Sequence, residues 1–83
     1  MVINNAGVMH NGYFDLVSAD KIVQTLDVDV AHVALMTSAF LPVLQARKQK
    51  TALINVSSTI GYMEGTCASA VYCASKSYVN YLT

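Results

Sequence analysis

At 83 residues, with 54% apolar, only 12% charged and a mean hydropathy of +0.43, the chain is too apolar for a disordered segment. Five Lys and Arg balance five Asp and Glu, so no net field draws in nucleic acid or an anionic membrane surface. Two cysteines, Cys67 and Cys73, without a charged-then-apolar leader, are expected to be reduced thiols and not the disulfide framework of a small secreted domain.

The opening MVINNAG runs apolar into Asn4, Asn5 and Gly7, the pattern of a buried strand reaching a turn. After a loop holding Gly12, Ser18 is suited to cap a helix, with Asp20 in its first turn at the positive end of the dipole. Ile22, Val23, Leu26, Val30, Val33 and Leu41 recur at helical spacing, and Arg47, Lys48 and Lys50 are expected to close that helix at its negative end. The β-branched Val28, Val30 and Val33, and Pro42, mark places for a bend. The most apolar stretch, Val30 to Leu44, is fifteen residues, short of the roughly 20 that a spanning helix needs. TALINVSS reads as a second buried strand, so strand, long helix and strand make a parallel crossover. Thr59 to Ala68, with Gly61 and Gly65, reads as loop, and Ser69 is expected to cap a last helix from near Ala70. The fold class is α/β, and so apolar a short chain predicts a piece of a larger domain, cut at both ends.

In parallel α/β sheets ligands gather outside the carboxyl ends of the strands. Asn4 to Gly7, the pair Ser57 and Ser58, and Tyr72 all fall there. Tyr72 and Lys76, four apart, share one helix face, where an ammonium favours the anionic form of a phenol. The spacing by itself equally fits a buried tyrosine beside a snorkelling lysine. His10 reads as a polar loop residue or a substrate contact, His32 as a packed helix histidine, Tyr78 and Tyr81 as packing residues, and Arg47, Lys48 and Lys50 as a solvated helix end. Cys67 is a small loop hydrophobe or lines a substrate entrance. His10, His32, Cys67 and Cys73 lack metal-site spacing, so no metal is expected.

NNAG at Asn4 to Gly7, NVSS at Asn55 to Ser58 and YCASK at Tyr72 to Lys76, in that order, resemble the short-chain dehydrogenase/reductase family. The resemblance spans essentially the whole chain. It implies that residues 1–83 are the central and catalytic part of a single Rossmann-type domain, a fragment of a doubly wound parallel sheet truncated at both ends. The implied activity is an NAD(P)-dependent oxidoreductase interconverting a carbonyl and a secondary alcohol by hydride transfer. Tyr72 would be the general acid/base, and Lys76 would tune it and hold the nicotinamide ribose. Ser58 would hold the substrate oxygen, with Ser57 as the competing serine. Asn5, Ala6 and Gly7 would lie along the cofactor together with Tyr72 and Lys76. Two departures stand out. Fourteen positions separate Ser58 from Tyr72, one more than the family's usual spacing, and Asp29 occupies the place of an Asn that binds a proton-relay water. An ionised Asp29 would accept from that water without donating, and would attract Lys76.

The texture of KTALINVSS and VYCASKSYVNYLT is similar to the 17β-hydroxysteroid and very-long-chain 3-oxoacyl reductase branch, which implies a lipid-like carbonyl or alcohol substrate. The cofactor would be NAD or NADP, with NADP slightly favoured. The resemblance further implies a homodimer or homotetramer built through the long helix and the last helix, in the cytoplasm or at the endoplasmic reticulum. A second reading is a catalytically inactive scaffold, motivated by Asp29 and by glycines (Gly7, Gly12, Gly61, Gly65) that form no phosphate-binding cluster. A membrane-associated fragment, resting on the apolar helix alone, is the third.

Overall fold

The computed structural model describes residues 1–63 and 68–83, so the expectations for Gly65 and Cys67 lie outside the described residues. Strands β1 (Val2–Asn4) and β2 (Leu53–Asn55) pair in parallel, with Val2 opposite Leu53, Ile3 opposite Ile54 and Asn4 opposite Asn55. The long helix connects them, which is the α/β crossover expected from the two apolar runs.

Helix α1 (Ala19–Leu26) begins at Ser18, whose side chain accepts from the Lys21 amide at 3.4 Å, and it carries Asp20 in the first turn. It runs without interruption into a π-helical turn, Asp27–Ala31, closed by the His32 amide donating to the Asp27 carbonyl, and then into α2 (His32–Ala46). The bend expected near Val28 and Val30 therefore takes the form of a wider turn, which rotates the faces on either side relative to each other. Arg47, Lys48 and Lys50 do not close the helix. Its last turn holds no cation, and Arg47 is already extended at φ −76°, ψ 141°, so the three side chains project into water just beyond it. The whole helix, Ala19–Ala46, is 28 residues with a mean hydropathy of 1.4 in its most apolar window, long and apolar enough to cross a membrane by length and composition. The count from Val30 to Leu44 understates it, because helical structure extends well to either side. In this fold α2 packs on both strands and the π turn packs on the last helix.

That last helix, α3 (Ala70–Leu82), follows Ser69, which does not cap it. The Ser69 hydroxyl is turned instead to Asn11 Oδ1 at 3.1 Å, and the Gly12 amide donates to the Ala68 carbonyl at 2.9 Å. Two bonds thus tie the loop after β1 to the start of α3. Ala68 itself sits at φ 66°, in the left-handed region unusual for a residue with a Cβ.

The radius of gyration, 14.4 Å, exceeds the about 12 Å of a compact 83-residue domain, so little apolar surface is enclosed. Among the described residues, only Val33, Leu44 and Val79 are buried apolar residues, whereas Asn4, Thr25, Asp29, Ser69, Ser75 and Lys76 are buried polar ones. Ile3 and Ile54, side by side in the register, are exposed on a sheet face that a doubly wound fold would cover. On the other face, Asn4 Nδ2 donates to Asn55 Oδ1 at 2.8 Å and to Thr37 Oγ1 at 3.4 Å, and Asn55 Nδ2 donates to Thr83 Oγ1 at 3.2 Å. The paired asparagines join α2, both strands and the end of α3. Replacing Asn4 by Ala leaves the side-chain Oδ1 of Asn55 without its donor. The expected loss is about 1–3 kcal/mol in equilibrium denaturation of the intact protein, and an unchanged midpoint would contradict it.

Candidate active site

Tyr72 lies in the first turn of α3 and Lys76 one turn later, so both project from one face towards the carboxyl ends of the strands. The Lys76 Nζ stands 5.5 Å from the centroid of the Tyr72 ring, in cation–π range. Lys76 is only 5% exposed, and its ammonium donates to the Val56 carbonyl, just past β2, at 3.2 Å. A buried cation requires such a partner.

The π turn carries Asp29 inward, where it is 1% exposed. Its Oδ1 accepts from the Val8 amide at 2.8 Å, while Oδ2 is buried without a hydrogen-bond partner. Gly7 links this carboxylate to the lysine. A Cβ on Gly7 would stand 3.5 Å from Asp29 Oδ1 and 3.5 Å from Lys76 Nζ. The Gly7 backbone therefore lies against both buried charged groups, while Asn5, Ala6 and Gly7 are themselves exposed. Tyr72, Lys76, Gly7 and Asp29 thus converge from the last helix, the first strand's loop and the π turn. The group lies at the carboxyl ends of the strands, where ligands of open α/β sheets gather.

Ser58 caps the 3₁₀ turn Thr59–Tyr62, accepting from the Ile60 amide at 3.3 Å and keeping its own proton available to a ligand. Ser57 is engaged elsewhere, donating to the Lys76 carbonyl at 3.0 Å. His10 bonds Gln24 Oε1 through Nε2 at 2.7 Å and shares a narrow crevice with Phe14, Val17, Ile22, Val71 and Tyr72. His32 is half-buried at the start of α2, with Nδ1 unpartnered. A wider hollow lined by Gly61, Tyr62, Met63, Ser77, Asn80 and Tyr81 flanks α3 away from Tyr72 and Lys76. Among the described residues, no three His, Cys, Asp or Glu side chains converge as a metal site would require. The Val56 carbonyl and the Val8 amide escape a reading of the sequence because backbone groups carry no side-chain signature.

Asp29→Ala removes the acceptor of the Val8 amide and is expected to lower stability by about 1.5–3 kcal/mol. Asp29→Asn keeps an acceptor oxygen and removes an unpartnered charge, so its midpoint should match or exceed that of the parent in chemical denaturation. An Asn variant as unstable as the Ala variant would contradict this placement.

A family model described as short chain dehydrogenase matches residues 1–83. The chain is 36% identical over 84 residues to an uncharacterized oxidoreductase of Staphylococcus saprophyticus, covering 100% of this chain and 33% of that protein. It is 31% identical over 90 residues to the human inactive hydroxysteroid dehydrogenase-like protein 1, covering 100% of this chain and 25% of that protein. Among solved structures, a short chain dehydrogenase/reductase from Burkholderia phymatum in complex with NAD superposes with a TM-score of 0.89 at 29% identity, over 96% of this chain and 28% of that one. The 3-ketoacyl-(acyl-carrier-protein) reductase of Brucella melitensis complexed with NADH superposes with a TM-score of 0.83 at 30% identity, over 98% of this chain and 35% of that one. The chain spans about a third or less of the length of these proteins.

Proposed function

Since the chain belongs to the short-chain dehydrogenase/reductase family, we propose that it forms the central and catalytic part of a single Rossmann-type domain in an oxidoreductase. The reaction is the NAD(P)-dependent interconversion of a carbonyl and a secondary alcohol. The observation that carries this reading is the convergence of Tyr72, Lys76 and Gly7 beside the strand ends. The nicotinamide cofactor, when bound, supplies or accepts the hydride. In the reducing direction Tyr72 hands its phenolic proton to the carbonyl oxygen as that oxygen gains charge. Ser58 donates to the same oxygen with the proton that its bond from Ile60 leaves free. Lys76 lends positive charge to the Tyr72 ring and to the ligand side bounded by Gly7. Asn5, Ala6 and Gly7 line the cofactor, and Asp29 shapes that wall through the Val8 amide. The likeness of KTALINVSS and VYCASKSYVNYLT to the 17β-hydroxysteroid and very-long-chain 3-oxoacyl reductase branch supports a lipid-like substrate.

Tyr72→Phe in the intact protein is expected to lower NAD(P)H-coupled turnover by about 10²–10⁴-fold. Unchanged turnover would remove Tyr72 from this role.

A second reading, an inactive scaffold, draws on the buried Asp29 carboxylate with its unpartnered oxygen and on the 31% identity to a relative named as inactive. Absence of NAD(P)H consumption across a panel of ketones and alcohols selects it. Under either reading the exposed Leu35, Phe40, Leu41 and Val43 of α2, and Tyr81 of α3, suit a homodimer or homotetramer. Light scattering of the intact protein should then give a dimer or tetramer mass, and a strict monomer would contradict it.

A further inference from the structure

The Ser57 hydroxyl donates to the Lys76 carbonyl at 3.0 Å, in the middle of α3. A carbonyl at such a position already serves the helical ladder, so this bond uses its second lone pair and adds to the helix's own bonding. One residue earlier, the Val56 carbonyl accepts from the Nζ of the same lysine at 3.2 Å. Two consecutive residues after β2 therefore hold both ends of Lys76. Gly61 tightens the hold. A Cβ there would stand 2.9 Å from the Lys76 carbonyl carbon and 3.0 Å from its oxygen, so only glycine lets the 3₁₀ turn close on this peptide unit. Ser77 Oγ returns a bond to the Gly61 carbonyl at 2.6 Å.

A lysine held this firmly gives up a flexible stem, and a competing partner explains why it must. The Asp29 carboxylate lies across the Gly7 backbone, with Oδ1 as near the Cβ position of Gly7 as the ammonium is, and with Oδ2 unpartnered. Rotation of the ammonium onto that carboxylate would withdraw it from Tyr72 and from the ligand side. We infer that Ser57 is the positioning residue for Lys76, gripping α3 so that the ammonium stays on the Val56 carbonyl near the Tyr72 ring and does not turn to Asp29. This rests on the proposed pairing of Tyr72 with Lys76. It goes further by giving Ser57, a candidate for the substrate oxygen by its place in the motif, to the lysine.

Two measurements on the intact protein test it. In protein labelled with ¹³C and ¹⁵N at lysine, the Lys76 ε-methylene and Nζ resonances should shift in Ser57→Ala and return in Ser57→Thr, which keeps the hydroxyl. Ser57→Cys, a weaker donor, should lie between. In NAD(P)H-coupled assays Ser57→Ala should lower kcat about tenfold in the parent but less than about threefold in an Asp29→Asn background, where the competing carboxylate is gone. A Lys76 resonance that stays in place in Ser57→Ala, or an equal loss of kcat in both backgrounds, overturns the assignment. An intact protein without any turnover refutes the proposed activity alone, and the lysine resonances then decide the role of Ser57.

Discussion

A lysine ammonium withdrawn almost entirely from water organises this molecule. A charge in that position demands polar partners, and the surroundings of Lys76 come from several parts of the chain. The carbonyl of Val56 follows the second strand, the ring of Tyr72 lies one turn earlier on the same helix, and the carboxylate of Asp29 stands across Gly7 as a competing acceptor. The approaches to Val56 and Gly7 exist only once the crossover has formed and α3 has docked against the π turn. The pattern of burial carries the same message, because among the described residues polar side chains outnumber apolar ones in the shielded interior. Apolar side chains such as Ile3, Ile54, Leu35 and Val43 face outward, as expected of a segment whose faces meet other structure in a larger assembly.

Much of this was legible in the residues themselves. Two apolar runs flanking a helical pattern state a parallel crossover, and the interval from Tyr72 to Lys76 states a shared face, to which the earlier NNAG and NVSS motifs add the strand ends. What stays hidden has identifiable physical causes. The valines around Asp29 signal weak helix formation without specifying that the helix widens by a residue, so the inward path of Asp29 is visible only in three dimensions. Val8 and Val56 act through backbone groups that every residue possesses. Ser69 has the side chain of a cap, yet a tertiary bond to Asn11 wins over the local one. Ser57 and Ser58 are indistinguishable by type and adjacent in order, and only the direction of each hydroxyl separates them.

The fold is shared over nearly the whole of this chain with oxidoreductases solved with NAD and NADH. The buried carboxylate of Asp29 is the group that the resemblance does not account for. One of its oxygens does structural work on the loop after β1, and the other is left without a donor close to the ammonium on which the chemistry would turn. Whether the site is active depends on which partner the lysine keeps. On the proposed reading, the grip exerted from the end of β2 leaves the ammonium available to tyrosine and ligand, as an enzyme requires.

A crystal structure of the intact protein soaked with a nicotinamide dinucleotide would test this most directly. The account predicts the nicotinamide ribose within hydrogen-bonding reach of Lys76 Nζ, the ring beside the Tyr72 hydroxyl, and the backbone of Gly7 against the ligand. A lysine found bonded to Asp29 with no dinucleotide along Asn5 to Gly7 would contradict it.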